Sequence, residues 1–190
     1  MRLSDVRLLL LVFCCASLVC SLEKNYTRLD ACFGKNFEIR TSPKNYVLNQ
    51  EYCDIQSFMN DWEFRPKVYF KDAIKDEFYT VILVSPRPDY GPGEYYLHWL
   101  ITNLVIQDLE SGDTRIGDEL APYVGPYMYE NCNETIYQFL IFQQTFIQFT
   151  YKMKVDMRIR FPLFDWLKAE TETEFMGPYA GLQFRINHMR

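Results

Sequence analysis

Short apolar runs separated by polar turns dominate the sequence. The clearest is FYTVILV, Phe78–Val84, a β-branched run that begins after charged residues and ends before a proline, which is typical of a buried strand. The same pattern predicts further strands at FEIR (Phe37–Arg40), RPKVYF (Arg65–Phe70), HWLITNLVI (His98–Ile106), TIYQFLIFQQ (Thr135–Gln144) and GLQFRI near the C-terminus.

One segment has helical spacing instead. In FPLFDWLKAE, Phe161–Glu170, Pro162 suits a first helical turn, and Leu163, Trp166 and Leu167 fall on one face. The polar stretch LESGDTRIGDEL contains two glycines and predicts a loop or a turn. Several strands and few helices indicate a β-dominated domain.

The N-terminus has the pattern of a secretory signal. Arg2 and Arg7 lie beside the apolar run LLLLVFCCASLVC, which is shorter than the roughly 20 residues that span a membrane. We therefore expect residues 1–21 to be a signal peptide cleaved near Val19–Leu22, residues 22–36 to be an N-terminal extension, and residues 37–190 to form one domain. An uncleaved membrane anchor is the alternative.

Composition and charge exclude two partner classes. A chain of 190 residues with 48% hydrophobic and 24% charged residues can bury a sizeable core. Its net charge is −5, and removal of the signal peptide, with two arginines and one aspartate, makes it one unit more negative. An acidic chain without a basic block argues against nucleic acid and against docking on anionic lipid. We therefore expect a secreted, extracellular protein with no stable membrane insertion.

Three cysteines follow the signal: Cys32, Cys53 and Cys132. An exported chain can form one pair from them and leave one thiol over. We favour Cys32–Cys53, which closes a short loop, and the two other pairings stay open. Export also makes the sequons at Asn25 and Asn133 candidates for N-glycosylation.

No catalytic constellation is present in the sequence. The G-x-S-x-G, H-E-x-x-H, P-loop and dinucleotide motifs are all missing, and two histidines and three cysteines without C-x-x-C spacing do not predict a metal site. A nucleophile–base pair of Cys132 and His98 is formally possible, but we favour a spare or disulfide-bonded Cys132 instead. We expect no enzyme activity, no cofactor and no metal.

Six short motifs in one order give a resemblance to a known family. They are RPKVYF, YTVILVSPRP, HWLITN, APYVGP, IYQFLIFQQ and GPYAGLQF. In this order and spacing they resemble the phosphatidylethanolamine-binding protein family, which includes the Raf kinase inhibitor proteins, from about Phe37 to Phe184. The resemblance implies a β-sandwich with one or two small helices. It also implies a pocket at one end that binds phosphate-like anions and phospholipid head groups.

The resemblance assigns a residue of this chain to each position of the family's pocket. The corresponding positions are Ser85, Pro86, Arg87, His98, Tyr123, Gly125, Thr135 and Tyr137. His98, Pro86, Tyr123, Gly125 and Tyr137 keep the family's residue type. Ser85 and Arg87 replace the two pocket aspartates, and Thr135 replaces the second pocket histidine.

These departures leave two functions open. Tyr127, Met128 and Tyr129 are bulky where the family has small residues, which indicates a pocket filled by side chains. We therefore expect a secreted, non-enzymatic binding protein with a degenerate pocket for a phospholipid head group or a small phosphorylated anion. The alternative is an extracellular interaction or inhibitor protein that uses the scaffold to bind a protein partner.

Overall fold

The computed structural model describes residues 30–127, 133–145, 155–169 and 174–187, so the predicted signal peptide, Asn25 and Cys132 lie outside the described residues. Within these described ranges there are ten strands: β1 (Phe37–Arg40), β2 (Val47–Leu48), β3 (Ile55–Ser57), β4 (Lys67–Phe70), β5 (Phe78–Ser85), β6 (Glu94–Leu104), β7 (Asp118–Ala121), β8 (Glu134–Gln144), β9 (Phe161–Pro162) and β10 (Phe175–Asn187). The same ranges contain two α-helices, α1 (Ile106–Ser111) and α2 (Leu163–Ala169).

The strands form two sheets. A small antiparallel sheet has the order β2–β1–β4, and a large mixed sheet has the order β3–β10–β8–β5–β6–β7, with β9 paired to β6. β3 runs parallel to β10, and the other pairs in the large sheet are antiparallel. The predicted β-sandwich with two small helices is confirmed.

Both faces of the large sheet are covered. Successive side chains of a strand point to opposite faces, and in β5 Val81 and Leu83 join the core beneath the small sheet, whereas Ile82 and Val84 join the core beneath α2. All four side chains are 0% exposed. This explains why the sequence of β5 is continuously apolar instead of alternating.

The loop or turn predicted for LESGDTRIGDEL is wrong at both ends of the stretch, which belong to α1 and β7. The strand predicted for His98–Ile106 begins four residues too late and ends two residues too late. β6 ends at Leu104, after Asn103 adopts a φ of 59°, and α1 begins at Ile106. The Asp108 carboxylate accepts a hydrogen bond from the Val105 N–H at 3.0 Å, and Gly112 ends the helix with a φ of 73°. β7 follows within the same stretch.

The remaining element predictions hold with shifted ends. The helix predicted at Phe161–Glu170 is α2, but its first two residues form β9 instead. The last strand begins earlier than GLQFRI, at Phe175. β2 and β3 were not predicted, because strands of two and three residues carry too little alternation to detect.

The predicted disulfide between Cys32 and Cys53 is confirmed, with a Cα–Cα distance of 5.9 Å. It holds the N-terminal segment against β10, where Phe33 and Gly181 form a β-bridge and Ala31 is 0% exposed. No helix among the described residues is long and apolar enough to cross a membrane.

Candidate functional site

The candidate site lies where β5 ends beside β6. Ser85 is the last residue of β5, and His98 lies inside β6. A bulge between Leu83 and Val84 shifts the register of this pair of strands. The Ser85 Oγ lies 3.0 Å from the His98 Nε2, and both side chains are 0% exposed.

The partners of His98 define its tautomer. The Nδ1 atom lies 3.1 Å from the Val124 carbonyl oxygen, which can only accept a hydrogen bond. Nδ1 therefore carries the proton and donates it to Val124, and Nε2 accepts from the Ser85 hydroxyl. Both ring nitrogens are used inside the protein.

Burial keeps this imidazole neutral. It lowers the pKa of His98 to about 3, against the opposing effect of the hydrogen bond to Val124, and the charge of Arg158 lowers it further. A histidine with so low a pKa is a weak base at neutral pH. The Ser85–His98 pair has the hydrogen bond of a nucleophile and its base, but the environment disfavours proton transfer to the ring.

β8 supplies two more of the predicted pocket residues. Thr135 and Tyr137 are two residues apart and therefore lie on one face of the strand. Their side chains are hydrogen-bonded to each other, and burial raises the pKa of the Tyr137 hydroxyl far above its usual range. The Tyr137 ring meets the His98 ring edge-on, with centroids 5.0 Å apart.

The segment around Tyr123 and Gly125 closes the other side of the site. The Tyr123 hydroxyl donates to the Trp62 carbonyl oxygen at 2.7 Å. An added Cβ at Gly125 would lie 2.6 Å from the same oxygen, so only glycine fits there. These two contacts hold the segment against the 3₁₀ turn Met59–Trp62.

A continuous stack of rings runs from that turn to the imidazole. The Trp62 ring stacks on Phe184 at 3.8 Å between centroids, and Phe184 stacks on Tyr137 at 5.1 Å. Tyr137 then contacts His98. We refer to Trp62, Phe184, Tyr137 and His98 as the aromatic column.

The loop after Ser85 directs Arg87 to other partners. The Arg87 guanidinium bonds to Asp89 at 3.2 Å and lies 5.2 Å from the centre of the Tyr90 ring. Arg160 contacts the same ring at 5.1 Å and forms an ion pair with Glu94 at 2.9 Å. Pro86 is half-buried at the start of this loop. The predicted residues thus divide into a buried group around His98 and an arginine on the loop.

Sequence analysis missed Arg158. Its guanidinium is buried and donates to the carbonyl oxygens of Leu97, His98 and Pro122, at 2.7–3.2 Å. It lies behind the imidazole and binds β6 to the segment that follows β7. The only sequence signal is a basic residue in the stretch KVDMRIR, which does not indicate a buried position.

Sequence analysis also missed Tyr96, whose ring lies 4.9 Å from that of His98, and the contribution of Phe184. In the part of the chain that the structure describes, no group of three histidine, cysteine or acidic side chains is arranged to hold a metal ion.

Comparison with known proteins identifies the fold. No family model and no curated protein sequence matches the chain. Among solved structures, the carboxypeptidase Y inhibitor in complex with its cognate proteinase is similar, with a TM-score of 0.59 and 13% identity over 86% of this chain and 89% of that one.

Two named phosphatidylethanolamine-binding proteins are similar as well. The protein from Plasmodium vivax has a TM-score of 0.59 and 12% identity, over 82% of this chain and 87% of that one. The protein from Plasmodium falciparum has a TM-score of 0.52 and 16% identity, over 82% and 87%. The chain therefore has the fold of the phosphatidylethanolamine-binding proteins.

Proposed function

We propose that this chain is an exported, non-enzymatic binding protein of the phosphatidylethanolamine-binding type, that its end pocket is degenerate, and that it acts through contact with a protein partner. The observation that carries the proposal is the His98 ring, which is 0% exposed and uses both nitrogens inside the protein.

The polar groups of the site support a degenerate pocket. An anion needs donors that point at it, but the Ser85 hydroxyl donates to His98, and the Nδ1 proton of His98 goes to Val124. An amine needs a carboxylate, and Arg87 stands where the family has one. Two like charges about 4 Å apart repel by roughly 1 kcal/mol in water and more where water is excluded.

The turn beside the site supports a protein partner. Phe58 and Phe64 bracket the 3₁₀ turn and are 76% and 55% exposed. Beneath them, Trp62 is buried in the aromatic column. Exposed aromatic side chains on a rigid base are typical anchors of protein interfaces, because little entropy is lost when they are ordered. The inhibitor found in complex with its cognate proteinase has this fold and binds a protein.

The experiment compares secreted wild type with the double variant Phe58→Ser/Phe64→Ser. Ile116→Ser, at an equally exposed isoleucine on another 3₁₀ turn, is the matched control. Quantitative cross-linking in conditioned medium should recover the same partner with wild type and Ile116→Ser. Recovery with the double variant should be at least about thirtyfold lower, since an anchor residue contributes 2 kcal/mol or more and 1.4 kcal/mol corresponds to a factor of ten.

Native mass spectrometry of the same secreted material should give the mass of the protein without a small ligand. A co-purifying phospholipid or phosphorylated molecule would overturn the degenerate pocket. Equal recovery of a partner by the double variant would overturn the proposed surface.

A retained anion site is the second candidate, favoured by the two guanidinium groups that converge on Tyr90. Calorimetry with inorganic phosphate, a phosphomonoester and phosphoethanolamine tests it on wild type and on Arg87→Asp. If this candidate is right, inorganic phosphate and the phosphomonoester bind wild type more tightly than phosphoethanolamine does. The Arg87→Asp variant then no longer binds these two anions. If none of the three binds either protein, the first proposal stands.

A further inference from the structure

A second concave site lies at the opposite end of the large sheet from His98. It is a cleft of about 320 Å³, which lies at the small end of the range for ligand pockets. Tyr79 stands in its wall, six residues before Ser85 along β5, which corresponds to a separation of about 20 Å. The two sites are therefore distinct.

The cleft combines apolar walls with polar groups. Phe70, Tyr79 and Tyr179 supply aromatic surface. The Tyr79 ring is fixed, because its hydroxyl accepts a hydrogen bond from the Ile74 N–H at 2.9 Å and its edge packs on Phe70. A wall of fixed rings suits a ligand with an aromatic or aliphatic body.

Gln143 is the strongest sign of a ligand. It is 7% exposed, lines the cleft, and its side-chain amide makes no hydrogen bond to any described residue. Its polar atoms are not cut off from solvent, because among the described residues only the Trp166 Nε1 is a fully buried side-chain polar atom without a hydrogen-bond partner. Its carboxamide can both donate and accept, so the cleft offers one buried group that a polar ligand atom can satisfy.

Two opposite charges complete the site. Lys35 lines the cleft and forms no ion pair with a described residue. Asp72 also lines it, and one of its oxygens accepts a hydrogen bond from the Asn36 amide at 2.7 Å. Lys35 and Asp72 lie too far apart to pair with each other, so each is available to a ligand charge of the opposite sign.

We propose that this cleft binds a small zwitterion with an apolar body, of the class of free aromatic or large aliphatic amino acids. The apolar body packs against the three rings, the carboxylate faces Lys35, the ammonium faces Asp72, and Gln143 bonds to one of the two groups. A simple anion would meet Asp72, and a simple cation would meet Lys35, so the zwitterion fits both charges.

The test uses three probes that share a phenyl group: phenylalanine, hydrocinnamate and phenethylamine. Calorimetry and heteronuclear NMR on the purified protein should give phenylalanine the highest affinity, with amide shifts centred on Lys35 and Gln143. Lys35→Gln and Asp72→Asn should each lower the affinity for phenylalanine about three- to fivefold, as expected for a partly exposed ion pair. Lys75→Gln, at an exposed lysine outside the cleft, should leave its affinity unchanged.

Gln143→Leu separates binding from folding. It removes an amide that makes no hydrogen bond to a described residue, so its thermal midpoint should stay close to that of the wild type, whereas phenylalanine affinity should fall. The proposal is overturned if phenylalanine at about 10 mM shows no detectable binding to wild type, because this concentration is far above the dissociation constants of ordinary ligands. It is also overturned if hydrocinnamate or phenethylamine binds more tightly than phenylalanine. The Phe58–Phe64 turn is untouched in all these variants, so the outcome is independent of the proposed partner surface.

Discussion

The His98 imidazole lies in an environment very different from water, with 0% of the residue exposed. Its pKa is lowered from 6.5 to about 3 by burial, so the unfolded chain binds a proton at pH values where the folded chain does not. The stability that this residue contributes is fully present above pH 6.5 and is lost as the pH falls from 6.5 towards 3. Protonation should therefore weaken the fold through its core before most carboxylates titrate.

The first prediction measures that loss. Between about pH 7.5 and pH 5, the free energy of unfolding of the wild type should fall by about 2 kcal/mol more than that of His98→Gln. Urea unfolding at both pH values gives the four free energies. If the free energy of unfolding of wild type and of His98→Gln changes equally with pH, the imidazole is solvated or charged in the folded state.

The 3₁₀ turn and the Tyr123–Gly125 segment depend on one close contact. At Gly125 a Cβ would lie 2.6 Å from the Trp62 carbonyl oxygen, whereas at Gly91 it would meet only the flexible Glu94 side chain, at 3.4 Å. Gly125→Ala should therefore destabilise the protein by about 1–3 kcal/mol, and Gly91→Ala by less than about 0.5 kcal/mol. Urea midpoints measure both. A Gly125→Ala protein as stable as wild type would mean that the segment can move away from the turn.

The disulfide connects the N-terminal segment to the loop before β3. Its cysteines are separated by 21 residues, and closing a loop of this length in the unfolded chain corresponds to about 3 kcal/mol. Cys32→Ser/Cys53→Ser should lose about this much stability, and reductant should lower the stability of wild type but not of the variant. A wild type that is insensitive to reductant under unfolding conditions would show that the bond does not form in the purified protein.

The main strands could be predicted because each is a long apolar run. β5 and β8 are long strands with both faces buried, so their apolar sequences predict a buried strand and little else. α1 could not be predicted in the same way, because it begins after a left-handed Asn103 and is capped by a single Asp108 carboxylate. Local propensity is a weak guide where one side-chain contact decides the backbone.

The candidate site was predicted as a set of positions but not as an arrangement. Ser85 and His98 meet because of the bulged register between β5 and β6, which no spacing along the chain reveals. Phe184 and Trp62 reach Tyr137 through stacking of rings from distant segments. The Tyr127 ring, at a position where the resemblance implies a small residue, lies 6.0 Å from that of His98.

At the scale of the whole molecule, three features agree with passage through an oxidising, glycosylating compartment. The apolar run Leu8–Cys20 has the length of a signal peptide, and Cys32 and Cys53 are paired, as is usual for exported proteins. Asn133 is exposed immediately before β8, while Thr135 of its sequon is buried in the folded state. A glycan on Asn133 would therefore be added before β8 docks and would then project from the surface without disturbing the core.

Expression in secretory cells should yield protein in the medium whose electrophoretic mobility increases after treatment with peptide-N-glycosidase. Asn133→Gln should remove one such increment without changing the thermal midpoint, because the asparagine side chain is at the surface. Asn25→Gln tests in the same way whether the second sequon carries a glycan. Protein that stays inside the cell and shows no mobility shift would contradict both export and glycosylation. A shift in wild type that persists unchanged in Asn133→Gln would restrict the sugar to Asn25.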